Sequence, residues 1–189
     1  MRKFNNLMAV LTVALSGSLL SCGSDDPQPT DPNEMITTVN VSFTNNGMTD
    51  EVITGFFRDI DGPGGEDPFI SDIQLNANAS YTLDVEFLNE RESPAENLTA
   101  EIAQNGLDYQ VFYTTGGTAN LNYAYNDQDA QGNPIGLKGI LTTGAAGNGT
   151  LRLTLLYQPV KSASGVAGGD IGNARGEEDI RVQFNISTQ

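Results

Sequence analysis

The chain has no histidine and no tryptophan, a single cysteine, and only nine lysines and arginines against 24 aspartates and glutamates in 189 residues. Each shortage excludes something. Without histidine there is no His-assisted serine or cysteine nucleophile and no imidazole metal ligand. One cysteine cannot close a disulfide within the chain. A net charge of −15 repels nucleic acid and anionic lipid headgroups, so no nucleic-acid partner is expected. No phosphate-binding loop of P-loop form occurs. Paired carboxylates could still serve a hydrolase, but an acid-rich chain offers such pairs by chance. The expectation is a non-enzymatic protein.

The lone cysteine sits where it says most. Arg2 and Lys3 precede a short apolar run, Leu7 to Leu15, and Leu19, Leu20 and Ser21 lead into Cys22. The apolar run is too short to span a bilayer, which takes about 20 residues. The arrangement resembles a bacterial lipobox, in which the cysteine is acylated, palmitate included, and becomes the first residue of the mature chain. Residues 1–21 then read as a lipoprotein signal peptide, with Cys22 the lipidation site and the membrane reached through its acyl chains. Removing residues 1–21 takes away two basic residues and no acid, leaving 7 basic against 24 acidic residues, a balance of −17. Residues 22–34 contain three prolines and no large apolar side chain, and read as a flexible linker. Ser24, Asp25 and Asp26 resemble the export signal that sends lipoproteins of Bacteroidota to the outer face of the outer membrane.

Residues 35–189 read as one all-β domain. Val39, Val41 and Phe43 alternate with polar residues, as do Tyr81, Leu83, Val85 and Phe87. Leu151, Leu153, Leu155 and Tyr157 repeat the pattern, and Ile180, Val182, Phe184 and Ile186 repeat it again. Period-two alternation marks strands buried on one face. Weaker strands are expected at 52–58, 69–75, 107–114, 120–125 and 137–143. The sum is an antiparallel, immunoglobulin-like β-sandwich of about eight or nine strands. One short helix is expected over 93–106, with Ser93 as N-cap, Pro94 in the first turn, and Asn105 and Gly106 closing it in a left-handed conformation. Asp84 and Glu86, on outward positions, are expected to guard a sheet edge.

Three loops are candidate sites. The first, RDIDGPGGEDP, sets Asp59, Asp61, Glu66 and Asp67 around a glycine-rich turn. The second, YNDQDAQGNP, places Asp127 and Asp129 before Gly132 and Asn133. Asp-x-Asp before glycine lets carboxylates and carbonyls converge, as Ca²⁺ requires, though neither loop has EF-hand spacing. Aspartate, asparagine, glycine and proline are equally what β-turns are made of. The third, Ser162 to Asp179, is glycine-rich with acids at its end, and reads either as a ligand-binding loop or as plain disorder.

The order of FFRDIDGPGGEDP, NERESPAEN, DYQVFY, GNPIGL and LTLLYQP resembles a family of small Bacteroidota lipoproteins, flavobacterial in type, sometimes labelled under a type 1 periplasmic-binding superfamily. The resemblance spans nearly all of the mature domain. In that family histidine commonly stands at the positions held here by Tyr109 and Tyr157, which would imply a transition-metal site. Two tyrosines imply a paired aromatic contact within the sandwich instead. The resemblance also implies a ligand- or metal-binding accessory module, working beside a TonB-dependent receptor of the outer membrane. The alternative is a structural or adhesive surface domain with no small ligand.

Overall fold

The computed structural model describes residues 36–48, 51–62 and 64–189. The expected signal peptide (1–21), Cys22 and the expected linker (22–34) lie outside the described residues. The elements run β1 (Thr38–Asn45), β2 (Val52–Arg58), β3 (Phe69–Ile70), β4 (Asp72–Leu75), β5 (Ser80–Asn89), β6 (Glu96–Asn97), α1 (Thr99–Gln104), β7 (Tyr109–Gly117), β8 (Asn122–Tyr125), β9 (Lys138–Thr142), β10 (Gly147–Tyr157) and β11 (Glu177–Thr188). Among the described residues there is no helix long and apolar enough to cross a membrane.

The strands form a β-sandwich. The larger sheet is ordered β3-β2-β1-β5-β9-β8, with β6 paired to β5, and the smaller β4-β11-β10-β7. Pairing is antiparallel throughout, apart from the parallel pair of β4 and β11. The alternating side chains meet between the sheets. Val39, Val41, Phe43, Tyr81, Leu83, Val85 and Phe87 come from one sheet, and Leu151, Leu153, Leu155, Val182, Phe184 and Ile186 from the other, all buried. Each such side chain contributes about 1.5–3 kcal/mol by leaving water. The chain changes sheets at both flanks: only Ser71 separates β3 from β4, and β7 of the smaller sheet leads into β8 of the larger.

Three local expectations need correction. Among the described residues there are eleven strands against about eight or nine expected, because the 69–75 strand is split into β3 and β4 and the two-residue β6 is added. The helix begins after Leu98 rather than Ser93, and the Ser93–Pro94 peptide is cis. Glu96 and Asn97 pair with Asn89 and Leu88, which holds them extended; only then does the chain turn helical and bury Ile102. Its end is not left-handed: Asn105 has φ −95°. Finally, Asp84 and Glu86 face outward but guard no edge, since β5 lies between β1 and β9.

Candidate functional site

The second loop is a junction between the sheets. Asp127 accepts three backbone N–H bonds, from Gly136 at 2.8 Å, Leu137 at 2.7 Å and Lys138 at 3.0 Å. They hold the GNPIGL stretch, whose Ile135 carbonyl accepts from Val111 N–H at 2.7 Å and whose Leu137 carbonyl accepts from Val85 N–H at 2.9 Å. One segment thereby ties β7 to β5. Gly136, at φ +88°, is required because a Cβ there would come 2.6 Å from the Val111 carbonyl oxygen. Asp129 accepts from the N–H groups of Gln131 and Asn133 and from Lys161 Nζ at 2.9 Å. Lys161 also donates to the carbonyls of Gly106 and Pro134. The pair is buried, with side chains 6% and 1% exposed. Burial alone would raise the Asp129 carboxyl, but the Lys161 and backbone donors outweigh it and hold the group below its ordinary range. The oxygens of both aspartates are thus engaged by N–H donors.

The third loop is folded. Its 3-10 turns, Val166–Gly168 and Ile171–Asn173, set Val166 and Ala174 against Phe112 and Leu156. These two side chains point away from the main core, so the loop covers part of the outer face of the smaller sheet. Buried Gln110 donates to the Val166 carbonyl at 3.1 Å and fastens the loop to β7. The acids 177–179 are the first residues of β11 rather than the end of a loop. The β10–β11 register steps from Leu155↔Ile180 to Leu156↔Glu178, which leaves Asp179 as the extra residue of a bulge. A bulge re-aims a side chain, and Asp179 is 3% exposed.

Tyr109 and Tyr157 are cross-strand partners, with ring centroids 5.2 Å apart and planes tilted by 43°. Burial, then the negative charge of Asp179, pushes the Tyr109 phenol up to about 12, so it stays protonated at neutral pH. Leu107, the first residue of the strand expected over 107–114, is instead exposed and lies ahead of β7.

The first loop closes over a cleft. Asp59 N–H donates to the Thr37 carbonyl at 2.8 Å, and the Asp59 carboxylate accepts from Gly62 N–H at 2.8 Å. Asp61 accepts from Glu66 N–H at 2.7 Å, and this bond is the chief reason its carboxyl lies below the ordinary range. Glu66 and Asp67 are exposed. Arg91, from the NERESPAEN stretch, donates from Nε to the Ile60 carbonyl at 2.7 Å and lies over Gly62. At φ +79°, a Cβ on residue 62 would come 2.7 Å from Arg91 Nη2. Beneath lies a cleft of about 540 Å³, lined by Ile36, Phe57 and Ile180 and by the charged residues Asp59, Arg91, Glu178, Asp179 and Arg181. Arg181 forms an ion pair with Glu178.

So Asp59 reaches the cleft, while Asp127 and Asp129 lie at the separate junction held by Lys161. Among the described residues no three or more histidine, cysteine, aspartate or glutamate side chains converge as a metal ion would need. The sequence reading missed Arg91, Arg181 and Lys161. Their scarcity was the available signal, since each of so few basic residues is worth locating. Compared with family models, curated proteins and solved structures, the chain matches none.

Proposed function

We propose that this chain is a lipid-anchored, outward-facing outer-membrane protein whose domain captures a small zwitterionic ligand, such as an amino acid or short peptide, without transforming it. Delivery to a TonB-dependent receptor fits this role. The anchor rests on the lipobox-like sequence around Cys22, and the accessory role on the family resemblance. The cleft carries the binding reading: it places two arginines beside carboxylates over an apolar floor. That mixture offers a partner to each end of a ligand bearing both charges, and an apolar floor favours its side chain.

The test is thermal shift with free amino acids, short peptides, neutral sugars and Ca²⁺. A ligand at 100 times its Kd adds about 2.7 kcal/mol and raises the melting temperature. Arg91→Ala together with Arg181→Ala should remove the response. No shift with any amino acid or peptide would reject the ligand.

The structural or adhesive alternative draws on exposed Val52, Phe56, Phe69 and Ile70 along β2 and β3. It requires an attachment defect on deletion, and a deletion strain that attaches normally counts against it.

A further inference from the structure

We propose a second binding surface, independent of the cleft, on the outer face of the larger sheet, shaped for an extended protein segment carrying lysine or arginine. The third loop covers part of the smaller sheet, whereas among the described residues Thr54 and Phe56 are exposed and Asn40, Ser42, Asp84 and Glu86 partly exposed on the outer face of the larger sheet. They frame a trough of about 540 Å³ lined by Asn40, Ser42, Thr54, Phe56, Asp84 and Glu86. The register explains its shape. Phe56, Asn40 and Glu86 stand in one row across three strands, and Thr54, Ser42 and Asp84 in the next. Small polar residues on the middle strand form the floor, and taller side chains on the flanking strands form the walls. The walls are two strand spacings apart, about 10 Å, room for one extended chain.

The walls differ in chemistry. On one side Glu86 is oriented by neutral donors: Oε2 accepts from Asn40 Nδ2 at 2.9 Å, and Oε1 from Asn97 Nδ2 at 2.7 Å. Two amides fix the carboxylate without cancelling its charge, and a carboxylate has acceptor capacity for more. None of the ion pairs among the described residues involves Glu86. Its neighbour Asp84 is already paired, with Lys138. On the other side Phe56 stacks on Phe69, centroids 5.2 Å apart and planes 19° from parallel, and Phe69 is 62% exposed. A long basic side chain can lay its stem on these rings and its charge on Glu86. The net charge of −15 adds steering toward a basic segment. Charge complementarity therefore selects this occupant over an acidic peptide or a neutral saccharide.

The experiment uses the purified full chain in neutral detergent. Fluorescence anisotropy follows a labelled peptide of alternating lysine and alanine with both termini blocked, so that it is no zwitterion for the cleft, with a blocked glutamate–alanine peptide and a neutral oligosaccharide as competitors. The lysine peptide should bind and weaken with salt, and neither competitor should displace it. Glu86→Gln should weaken binding about tenfold, and Phe56→Ala about three- to tenfold. Both positions face solvent, and melting curves check that each variant is folded. Glu66→Gln makes the same charge change on the exposed first loop and should stay within about twofold. Arg91→Ala, which impairs the cleft, should leave peptide binding intact, so the two sites fail separately. Equal loss from Glu66→Gln and Glu86→Gln would reduce the effect to bulk charge and overturn the site. Displacement by the oligosaccharide, or no lysine-peptide binding at low salt, would overturn it as well.

Discussion

Lys161 and Asp129 show how differently two ion pairs of one chain behave. Lys138 and Asp84 pair on the surface with side chains 63% and 37% exposed, and such pairs contribute about 0–1 kcal/mol. Lys161 and Asp129 are buried, and removing one partner strands the other charge. Lys161→Met should therefore lower unfolding free energy by about 3–5 kcal/mol in denaturant titration, while Lys138→Met should cost under about 1 kcal/mol. The pH dependence has a definite sign. The Asp129 carboxyl lies below its ordinary value in the folded chain, so its contribution is present above the unfolded carboxylate range and is lost as pH falls through the lowered value. The denaturation midpoint should drop on the acid side. The carboxylates at 127 and 129 are conspicuous in the sequence as turn acids that could hold a cation. Beyond the local amides of Gln131 and Asn133, their donors were hidden: a lysine 32 residues away and the amides of Gly136, Leu137 and Lys138. Spacing along a chain does not reveal which amides a fold will aim at a carboxylate.

At the scale of elements, what was legible followed from period and what was missed followed from tertiary contact. The alternation at 81–87 and 151–157 marks β5 and β10 because a half-buried strand imposes that pattern by itself. The helix was misplaced because Ser93 and Pro94 make a plausible local start, whereas Glu96 and Asn97 are claimed by β5. The glycines of 162–179 suggest disorder, and only the apolar outer face of β7 and β10, with Phe112 and Leu156, supplies a reason to fold. The cleft was half visible, as an acidic turn without its arginines. Gly62→Ala tests that turn. It adds a Cβ at φ +79° and 2.7 Å from Arg91 Nη2, which should cost about 1–2 kcal/mol in thermal unfolding. It should also weaken the ligand binding proposed for the cleft, since Arg91 must shift. A variant with unchanged stability would show that the first loop is free to rearrange.

For the molecule as a whole, buried tyrosines make stability fall on the alkaline side. Tyr109 and Tyr125 are each pushed up to about 12, chiefly by burial, against about 10 in an unfolded chain. Between these values the unfolded chain binds fewer protons, so stability falls as pH rises through 10 toward 12. Melting temperature followed by circular dichroism should decline across that window. Tyr109→Phe keeps a ring against Tyr157 and should make the decline shallower. The membrane reading has its own test. Cys22→Ala should move the protein from the membrane to the soluble fraction without changing its circular dichroism, and continued membrane association would sink the anchor assignment.

The position of β1 has a mechanical consequence. Ile36 and Thr37, the first described residues, lead directly into β1, which lies between β2 and β5 and is registered with the first at seven positions and with the second at eight. A pull on Ile36 directed along β1 loads both rows of hydrogen bonds in shear together, rather than peeling them one at a time from a margin. A domain held through this end would resist drag and traction more strongly than its equilibrium stability alone implies.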